Sequence, residues 1–490
     1  MFMAAMQFIV KFFPEITIKS KPVRRKFAGQ LASNIRRILR PLDPDLQVQR
    51  EWDKLVITSE SEDEKLRLRL VDELARVSGI AHYLDVLEYP LGDLDDIFQR
   101  TLPVYRDRLA GKTFAVRCKR AGKHDFKSTD VERYVGGGLN QHSDAVGVNL
   151  SHPDLVVYLE IRDEKLFVVN QRYSGMGGFP MGTLDPVLSL ISGGFDSTVS
   201  SYLTMKRGMR THFCFFNLGG RDHEVGVKEV ALYLWMKYGS SHKVRFITIP
   251  FEEVVAELLN EVEDSQMGVI LKRMMLRAAS QVAQDMEIDA LVTGEAVAQV
   301  SSQTLRNLAV IDSVTDHLVL RPLIVSDKED IIRVAAAIGT EQFAANIPEY
   351  CGVISVNPTT RARPEKVEAE EKHFDMAVLQ RAIEAARIET IDEISDQDLQ
   401  KSDVEVLTVP LADGVVVDIR HPSEEELSPL QLDAPVKKIP FYELHSRMAE
   451  LDQARVYMLY CDRGAMSRLH AGHLLKSGHS NIKVYRPENK

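Results

Sequence analysis

Pro186-Val-Leu-Ser-Leu-Ile191 runs directly into Ser192-Gly-Gly-Phe-Asp-Ser197, and a helical stretch from Thr198 to Arg207 follows at once. The apolar run has the length of a buried strand, and the pattern changes from strand to turn to helix within a few residues. A strand that empties into glycines and hydroxyls and then opens a helix presents backbone N–H groups and a helix N-terminus to an anion. Gly193 and Gly194 let the backbone come close to a phosphate. Ser192 and Ser197 add hydroxyls, and Asp196 adds a carboxylate able to hold magnesium against the same phosphates. A turn that merely joined strand to helix would need one glycine, not this whole string.

Working outward, residues 177–390 alternate strand and helix at the spacing of a doubly wound parallel sheet. Strands are expected at 187–191, 211–217, 244–249, 289–293 and 318–323. Ligands of such sheets bind beyond the carboxyl ends of the strands, where the glycine turn stands. The S-G-G-x-D-S pattern resembles the PP-loop of ATP pyrophosphatases, which cleave ATP between the α- and β-phosphates and activate a carbonyl as its adenylate. Two other glycine stretches do not qualify. Gly111-Lys-Thr113 matches only the end of a kinase-type P-loop, whose leading position is Arg106 here. Gly175-Met-Gly-Gly-Phe-Pro180 fails the dinucleotide pattern at its last position and reads as a flexible approach to the next domain.

At 490 residues the chain exceeds one ordinary core, and three or four domains are expected. No apolar run reaches membrane-spanning length, and Lys11, Pro14 and Glu15 break the N-terminal one, which reads as a strand and not a signal peptide. Cys118, Cys214, Cys351 and Cys461 form no C-x-x-C pair, which argues against zinc and against a secreted disulfide framework and makes the cytoplasm the expected compartment. The net charge of −10 hides an asymmetry. Residues 1–50 hold ten Lys and Arg against three Asp and Glu, and residues 101–135 hold nine against four. Residues 361–450 hold eleven against twenty-one. A basic face of this kind binds nucleic-acid phosphates, or is simply solvated.

The basic half reads as two small α+β domains, 1–75 and 76–172. Strands are expected at 8–13 and 55–58, and helices at 22–40 and 64–77, with Val23, Phe27, Leu31, Ile35 and Leu39 as the inner face of the first helix and Arg24, Arg25, Lys26, Arg36 and Arg37 on the other. In the second domain a helix at 94–109, a strand at 113–119, a helix cap at Ser128-Thr-Asp130, and strands at 155–161 and 165–169 are expected. Gly136-Gly-Gly138 reads as a turn with open backbone geometry. This order, with Phe114-Ala-Val-Arg-Cys-Lys119 and Val148-Asn-Leu-Ser-His-Pro-Asp154, resembles a THUMP domain, an RNA-binding module of tRNA-modifying enzymes. Residues 361–402 read as a charged helical connector that hints at a mobile last domain.

The last segment, 404–490, restarts the alternation, with a strand at 414–420 and another at 455–460 that leads into Cys461-Asp-Arg-Gly-Ala-Met-Ser467 and a helix. A thiol there faces backbone N–H groups, a helix dipole, Arg463 and Arg468, all of which lower a thiol pKa and stabilise a thiolate or persulfide. With Asp418-Ile-Arg420 upstream, the segment resembles a rhodanese domain, whose active-site loop carries a cysteine persulfide. Cys351, in Pro348-Glu-Tyr-Cys-Gly-Val-Ile354, becomes a second sulfur candidate in that context, while Cys118 and Cys214 read as packing residues.

The whole chain resembles the tRNA 4-thiouridine synthetase family, also called tRNA sulfurtransferases, in its long form with a C-terminal rhodanese domain. The resemblance rests on Leu188-Ser-Leu-Ile-Ser-Gly-Gly-Phe-Asp-Ser197, Cys214-Phe-Phe-Asn-Leu-Gly-Gly220, Gly268-Val-Ile-Leu-Lys-Arg-Met-Met275, Leu291-Val-Thr-Gly-Glu295, Val300-Ser-Ser-Gln-Thr304, Pro348-Glu-Tyr-Cys-Gly352 and 461–469, with no departure at a position that carries chemistry. It implies a ferredoxin-like domain (1–75), THUMP (76–172), PP-loop ATPase (173–395) and rhodanese (404–490). It implies ATP against Leu190, Ile191, Ser192, Gly193, Gly194, Ser197, Lys272, Gly294 and Gln303, with Asp196 positioning magnesium (Mg2+). It implies that a uridine C4 oxygen of tRNA is adenylated, that a Cys461 persulfide delivers sulfur, and that Cys351 closes a disulfide with Cys461 which a thiol then reduces. Asp327 and Lys328 begin a helix near the same sheet edge. The implied partners are tRNA, a cysteine desulfurase as persulfide donor and a thiamine sulfur-carrier protein, since the family also supplies sulfur for the thiamine thiazole ring. Enzymes with this loop are often dimers, so a homodimer is a candidate assembly. Four other readings compete: an amide-forming ligase with the same loop, a sulfur relay with a vestigial ATP domain, a non-catalytic RNA-binding protein, and thiolation of a different nucleotide in tRNA.

Overall fold

The structure, a computed structural model, describes residues 6–218, 220–345, 347, 357–392, 404–452, 454–462 and 464–487. The chain folds as two compact units, Met1–Pro180 and Met181–Lys490.

The first unit is built on one eight-stranded sheet: β1 (Met6–Phe12), β2 (Gln47–Arg50), β3 (Lys54–Ser59), β4 (Ile80–Pro90), β5 (Thr113–Ala121), β6 (Gly147–Val148), β7 (Leu155–Arg162) and β8 (Lys165–Ser174). The strand order is β2-β3-β1-β4-β8-β7-β5-β6. The sequence reading missed β4, whose eleven residues pair antiparallel with β1 on one side and β8 on the other and so weld two small sheets into one. Helix Lys21–Leu39 buries Phe27, Leu31, Ile35 and Leu39 as its spacing predicts, while Val23, in its first turn, stays 37% exposed.

Three local expectations are corrected. The triple glycine lies inside helix Ser128–His142, not in a turn. A Cβ at Gly138 would stand 2.5 Å from the Phe98 ring, so the glycine lets this helix lie close on helix Leu94–Tyr105. The helix cap is Lys127, not Ser128, and its backbone N–H donates to Asp130 at 2.7 Å. The 175–180 segment is pinned rather than loose: Gly177 N–H donates to Ile80 O at 2.8 Å, and Gly79 N–H to Gly177 O at 2.7 Å.

The second unit carries two sheets. The first orders β13 (Leu318–Leu320), β12 (Ala290–Val292), β9 (Val187–Leu190), β10 (Thr211–Asn217), β11 (Arg245–Pro250) and β14 (Arg387–Thr390). Its first five strands are parallel, in the places the sequence predicts, and β14 closes the edge antiparallel. Residues 361–392 are therefore part of this body and not a free connector. Ala362, Val367, Phe374, Val378, Leu379 and Ala382 join the core beneath the sheet. The second sheet is all parallel, ordered β15 (Val406–Leu407), β19 (Ile482–Tyr485), β18 (Tyr457–Tyr460), β16 (Val415–Asp418) and β17 (Val436–Lys438). Val417, Ile419, Phe441, Leu444 and Leu469 from its side share one buried cluster with Val227, Val230, Ala231 and Leu234 of helix Gly220–Leu234. Among the described residues no helix is long and apolar enough to cross a membrane.

The glycines of helix Ser128–His142 give a paired test. Gly138→Ala pushes a methyl into Phe98 and is expected to cost about 1–3 kcal/mol. Gly137 is exposed with nothing within 4 Å of its Cβ position. There, Gly137→Ala should stabilise by about 0.5–1 kcal/mol, the usual gain at an open helix site. Urea unfolding of the two variants beside the parent checks both signs.

Candidate nucleotide site and buried thiol

The glycine turn leaves β9 and enters helix Phe195–Arg207. Ser192 N–H donates to Ser197 Oγ at 3.1 Å, and the two hydroxyls stand 3.1 Å apart. Gly193 has φ +84°, the left-handed region that glycine tolerates. Gly194 caps the helix in an extended conformation. The end of β12 closes the far side. A Cβ at Gly294 would lie 2.6 Å from the Asp196 carbonyl carbon and the Ser197 nitrogen, so only glycine permits this approach of backbone to backbone.

Leu190, Ile191, Ser192, Gly194, Asp196, Ser197, Lys272, Gly294 and Gln303 all line a single cavity of about 550 Å³ beyond the strand ends. Gly193 lies in the loop itself, with its α-carbon facing Ile347. The Gln303 side-chain oxygen is buried and has no hydrogen-bond partner among the described residues, so a donor on a bound molecule would satisfy it.

The charges come in pairs. Lys328 Nζ sits 2.9 and 3.0 Å from the two Asp196 oxygens, and Gln299 donates to Asp196 at 2.8 Å. Lys272 Nζ donates to Glu295 at 2.7 Å, Arg321 Nε to the other Glu295 oxygen at 2.8 Å, and Arg321 forks onto Asp312 at 2.8 and 2.6 Å. Burial alone would raise the Glu295 carboxyl, but Lys272 and Arg321 outweigh it and hold it below the usual range. Burial also holds His223, on the cavity wall, below the ordinary imidazole value. Sequence reasoning missed Glu295, Gln299, His223 and Arg321. Glu295 stands beside Gly294 at a strand end, where it was open to notice; the others carry no local signal.

Among the described residues Asp196 and Glu295 are the carboxylates of the cavity wall; Glu295 is held by two cations, and Asp196 by one cation and the Gln299 amide. Among the described residues no group of three His, Cys, Asp or Glu gathers as a metal cage. One carboxylate beside a phosphate-type loop suits magnesium carried largely by phosphate oxygens.

Cys461 lies elsewhere, at the end of β18, and is not part of the cavity wall. Ser467 N–H donates to its Sγ at 3.3 Å, and the thiol donates to Ser467 Oγ at 3.4 Å. Gly464, at φ +74°, closes the turn. Beneath it Arg420 forks onto Asp418 at 2.9 and 2.6 Å and reaches Asp462 at 3.2 Å, and Tyr460 OH donates to Asp462 at 2.7 Å. The expected lowering of the thiol pKa is corrected: burial pushes the Cys461 thiol up, against the Ser467 and Gly464 hydrogen bonds that pull it down. Arg463 and Cys351 lie outside the described residues. Cys118 is pushed up to about 12 by burial and Cys214 is raised as well, in keeping with packing roles.

Polar groups also meet at this junction. Lys237, just past helix Gly220–Leu234, pairs with Glu424 at 2.7 Å, and Glu229 of that helix stands 3.4 Å from His470 Nε2.

Residues 182–376 match the family described as thiamine biosynthesis protein (ThiI), residues 92–169 the THUMP domain, and residues 7–83 the ThiI ferredoxin-like domain. A tRNA sulfurtransferase of Azotobacter vinelandii is 58% identical over 98% of this chain and 100% of its own. One of Pseudomonas aeruginosa is 59% identical with the same coverage. Among solved structures, a 4-thiouridine synthetase in complex with RNA and bound ATP aligns with TM-score 0.69 and 27% identity, over 79% of this chain and 99% of its own.

Two outcomes follow from the electrostatics of the second unit. Cys461, buried and raised in pKa, should react with iodoacetamide at pH 8 about 10-fold or more slowly than free cysteine. Peptide mass spectrometry of timed samples measures this. Burial also pushes the Glu229 carboxyl up to about 8 from an ordinary 4.5, so the folded chain keeps a proton that the unfolded chain releases. That contribution is intact below about pH 4.5, and stability falls as pH rises from there toward about 8. Glu229→Gln should therefore gain on the parent across that window, seen as a widening difference in urea midpoints.

Proposed function

The chain belongs to the tRNA sulfurtransferase family, and from that footing we propose that it uses ATP to place sulfur on a uridine of tRNA, forming 4-thiouridine. The observation that carries this reading is the meeting of the Ser192–Ser197 turn with Lys272, Gly294 and Gln303 around one cavity at the carboxyl edge of a parallel sheet. The ATP and RNA in the 4-thiouridine synthetase structure support the same reading.

ATP binds with its phosphates on the turn N–H groups and the N-terminus of helix Phe195–Arg207. Lys272 leaves Glu295 to meet phosphate charge, and Gln303 Oε1 accepts from the adenine amino group. Asp196 would hold magnesium, which supplies charge neutralisation for the departing pyrophosphate. Lys328 keeps the Asp196 carboxylate aimed along the loop. The uridine C4 oxygen attacks the α-phosphorus, the bond to the β-phosphate oxygen breaks, and pyrophosphate leaves. The adenylated C4 then has a good leaving group in AMP.

The last domain, read as a rhodanese with a boundary near 404, carries the sulfur as a Cys461 persulfide. A cysteine desulfurase loads it. The terminal sulfur bonds to C4 and AMP departs. Attack by Cys351 on the Cys461 sulfur breaks the S–S bond, so the delivered sulfur gains two electrons and a Cys351–Cys461 disulfide takes their place. A thiol reductant restores both cysteines. Cys461 must leave its buried setting to be loaded. The same persulfide would serve a thiamine sulfur-carrier protein, a role that the family description supports. The reaction belongs to the cytoplasm.

The test is thiolation of unmodified tRNA with ATP, magnesium, cysteine and a cysteine desulfurase, read by near-ultraviolet absorbance of the RNA. Asp196→Ala, Cys351→Ala and Cys461→Ala should each lose on the order of 100-fold or more in rate, the size of effect of removing a charge-stabilising or nucleophilic group. ATP cleavage by the parent without thiolation would return the amide-forming ligase reading to the front.

A further inference from the structure

Trp52 lies between β2 and β3, and 59% of it is exposed. Two cations approach its ring. Arg24 Cζ is 4.0 Å from the centroid and Lys21 Nζ is 5.5 Å. They stand three residues apart at the start of helix Lys21–Leu39, on one helix face, and both reach the same ring. With both cations at the ring, 59% of the tryptophan still stands open to solvent. Arg24 is held in place by a hydrogen bond from Nη1 to Thr17 O at 3.4 Å. The acids that flank Trp52 are engaged elsewhere: Glu51 with Lys54 at 3.1 Å and Asp53 with Arg162 at 3.6 Å. Among the described residues no carboxylate pairs with Lys21 or Arg24, so the platform keeps both positive charges.

We propose that Trp52, backed by Arg24 and Lys21, is a stacking platform for one unpaired nucleotide of the RNA substrate. The argument rests on the RNA-substrate reading above and deepens it. An open indole face offers a base its largest favourable contact, and cations at the ring offer the adjoining phosphate a partner. Bases inside a duplex are already stacked on their neighbours, so the ligand is a single-stranded end or loop. The surrounding surface agrees in sign, since residues 1–50 carry ten basic side chains against three acidic ones.

The experiment exploits the tryptophan count. The chain has two, and the other, Trp235, lies in the second unit with its indole N–H on His242 O at 2.8 Å. In full-length Trp235→Phe, Trp52 is the sole indole reporter. Its fluorescence should be quenched by unmodified tRNA and by a short single-stranded RNA, but not by a blunt RNA duplex. In the parent background Trp52→Ala should weaken tRNA binding on the order of 10-fold, as loss of one base–aromatic stack does. Trp52→Phe should keep most of the affinity. Thiolation by Trp52→Ala should show a raised KM for tRNA with kcat retained. Full tRNA affinity in Trp52→Ala, or saturation with tRNA without quenching, overturns the platform and leaves the RNA-substrate reading standing. Failure of the parent itself to bind tRNA overturns both.

Discussion

The candidate site depends on one contact between two pieces of backbone. Where β12 ends, Gly294 lies so near the first turn of helix Phe195–Arg207 that a Cβ would be 2.6 Å from Asp196 and Ser197 main-chain atoms. No rotamer relieves a clash with backbone, so the approach requires glycine. Ser200 Oγ reinforces it by donating to Thr293 O at 3.2 Å. With helix and strand end locked together, the Ser192–Ser197 turn is held at the cavity opening, and its N–H groups are oriented before any anion arrives. Preorganisation of this kind removes the cost of ordering the loop on binding.

The same site pairs two of its cations with carboxylates. Lys272 rests on Glu295 and Lys328 on Asp196. In the proposed reaction Lys272 exchanges its Glu295 carboxylate for phosphate oxygens. Arg321, itself forked onto Asp312, holds Glu295 from behind, so that exchange does not strand a buried anion. The thiol in the other sheet has a different setting. Its turn rests on the Asp418–Arg420–Asp462 network, and burial pushes its pKa up.

Much of this was legible in the sequence, and the exceptions have physical reasons. The five parallel strands of the first sheet of unit two are continuous apolar runs, and a strand buried on both faces announces itself. β4 was missed because its run, Ile80-Ala-His-Tyr-Leu-Asp-Val-Leu-Glu-Tyr-Pro90, mixes polar and apolar residues, and nothing local says that it has neighbours on both sides. The triple glycine read as a turn because propensity is a local quantity. Its helix survives because Gly138 allows close packing on Phe98, a gain that exists only in three dimensions. The charged residues 361–392 read as a connector because their few apolar positions find partners only under the sheet. The cavity residues read from motifs are brought together, whereas Gln299, His223 and Arg321 arrive from loops and helices with no signature of their own.

The sequence alone determined the strand-turn-helix cradle, the parallel sheet that carries it, the basic front half and the strand-end position of Cys461, because each depends on residue order over a few positions. Only the tertiary structure decided that the two front domains share one sheet, that Asp196 is clamped by Lys328, and that Cys461 is raised rather than lowered in pKa. Those outcomes depend on what comes to lie against a residue from distant parts of the chain, and burial and charge act through space, not along the sequence.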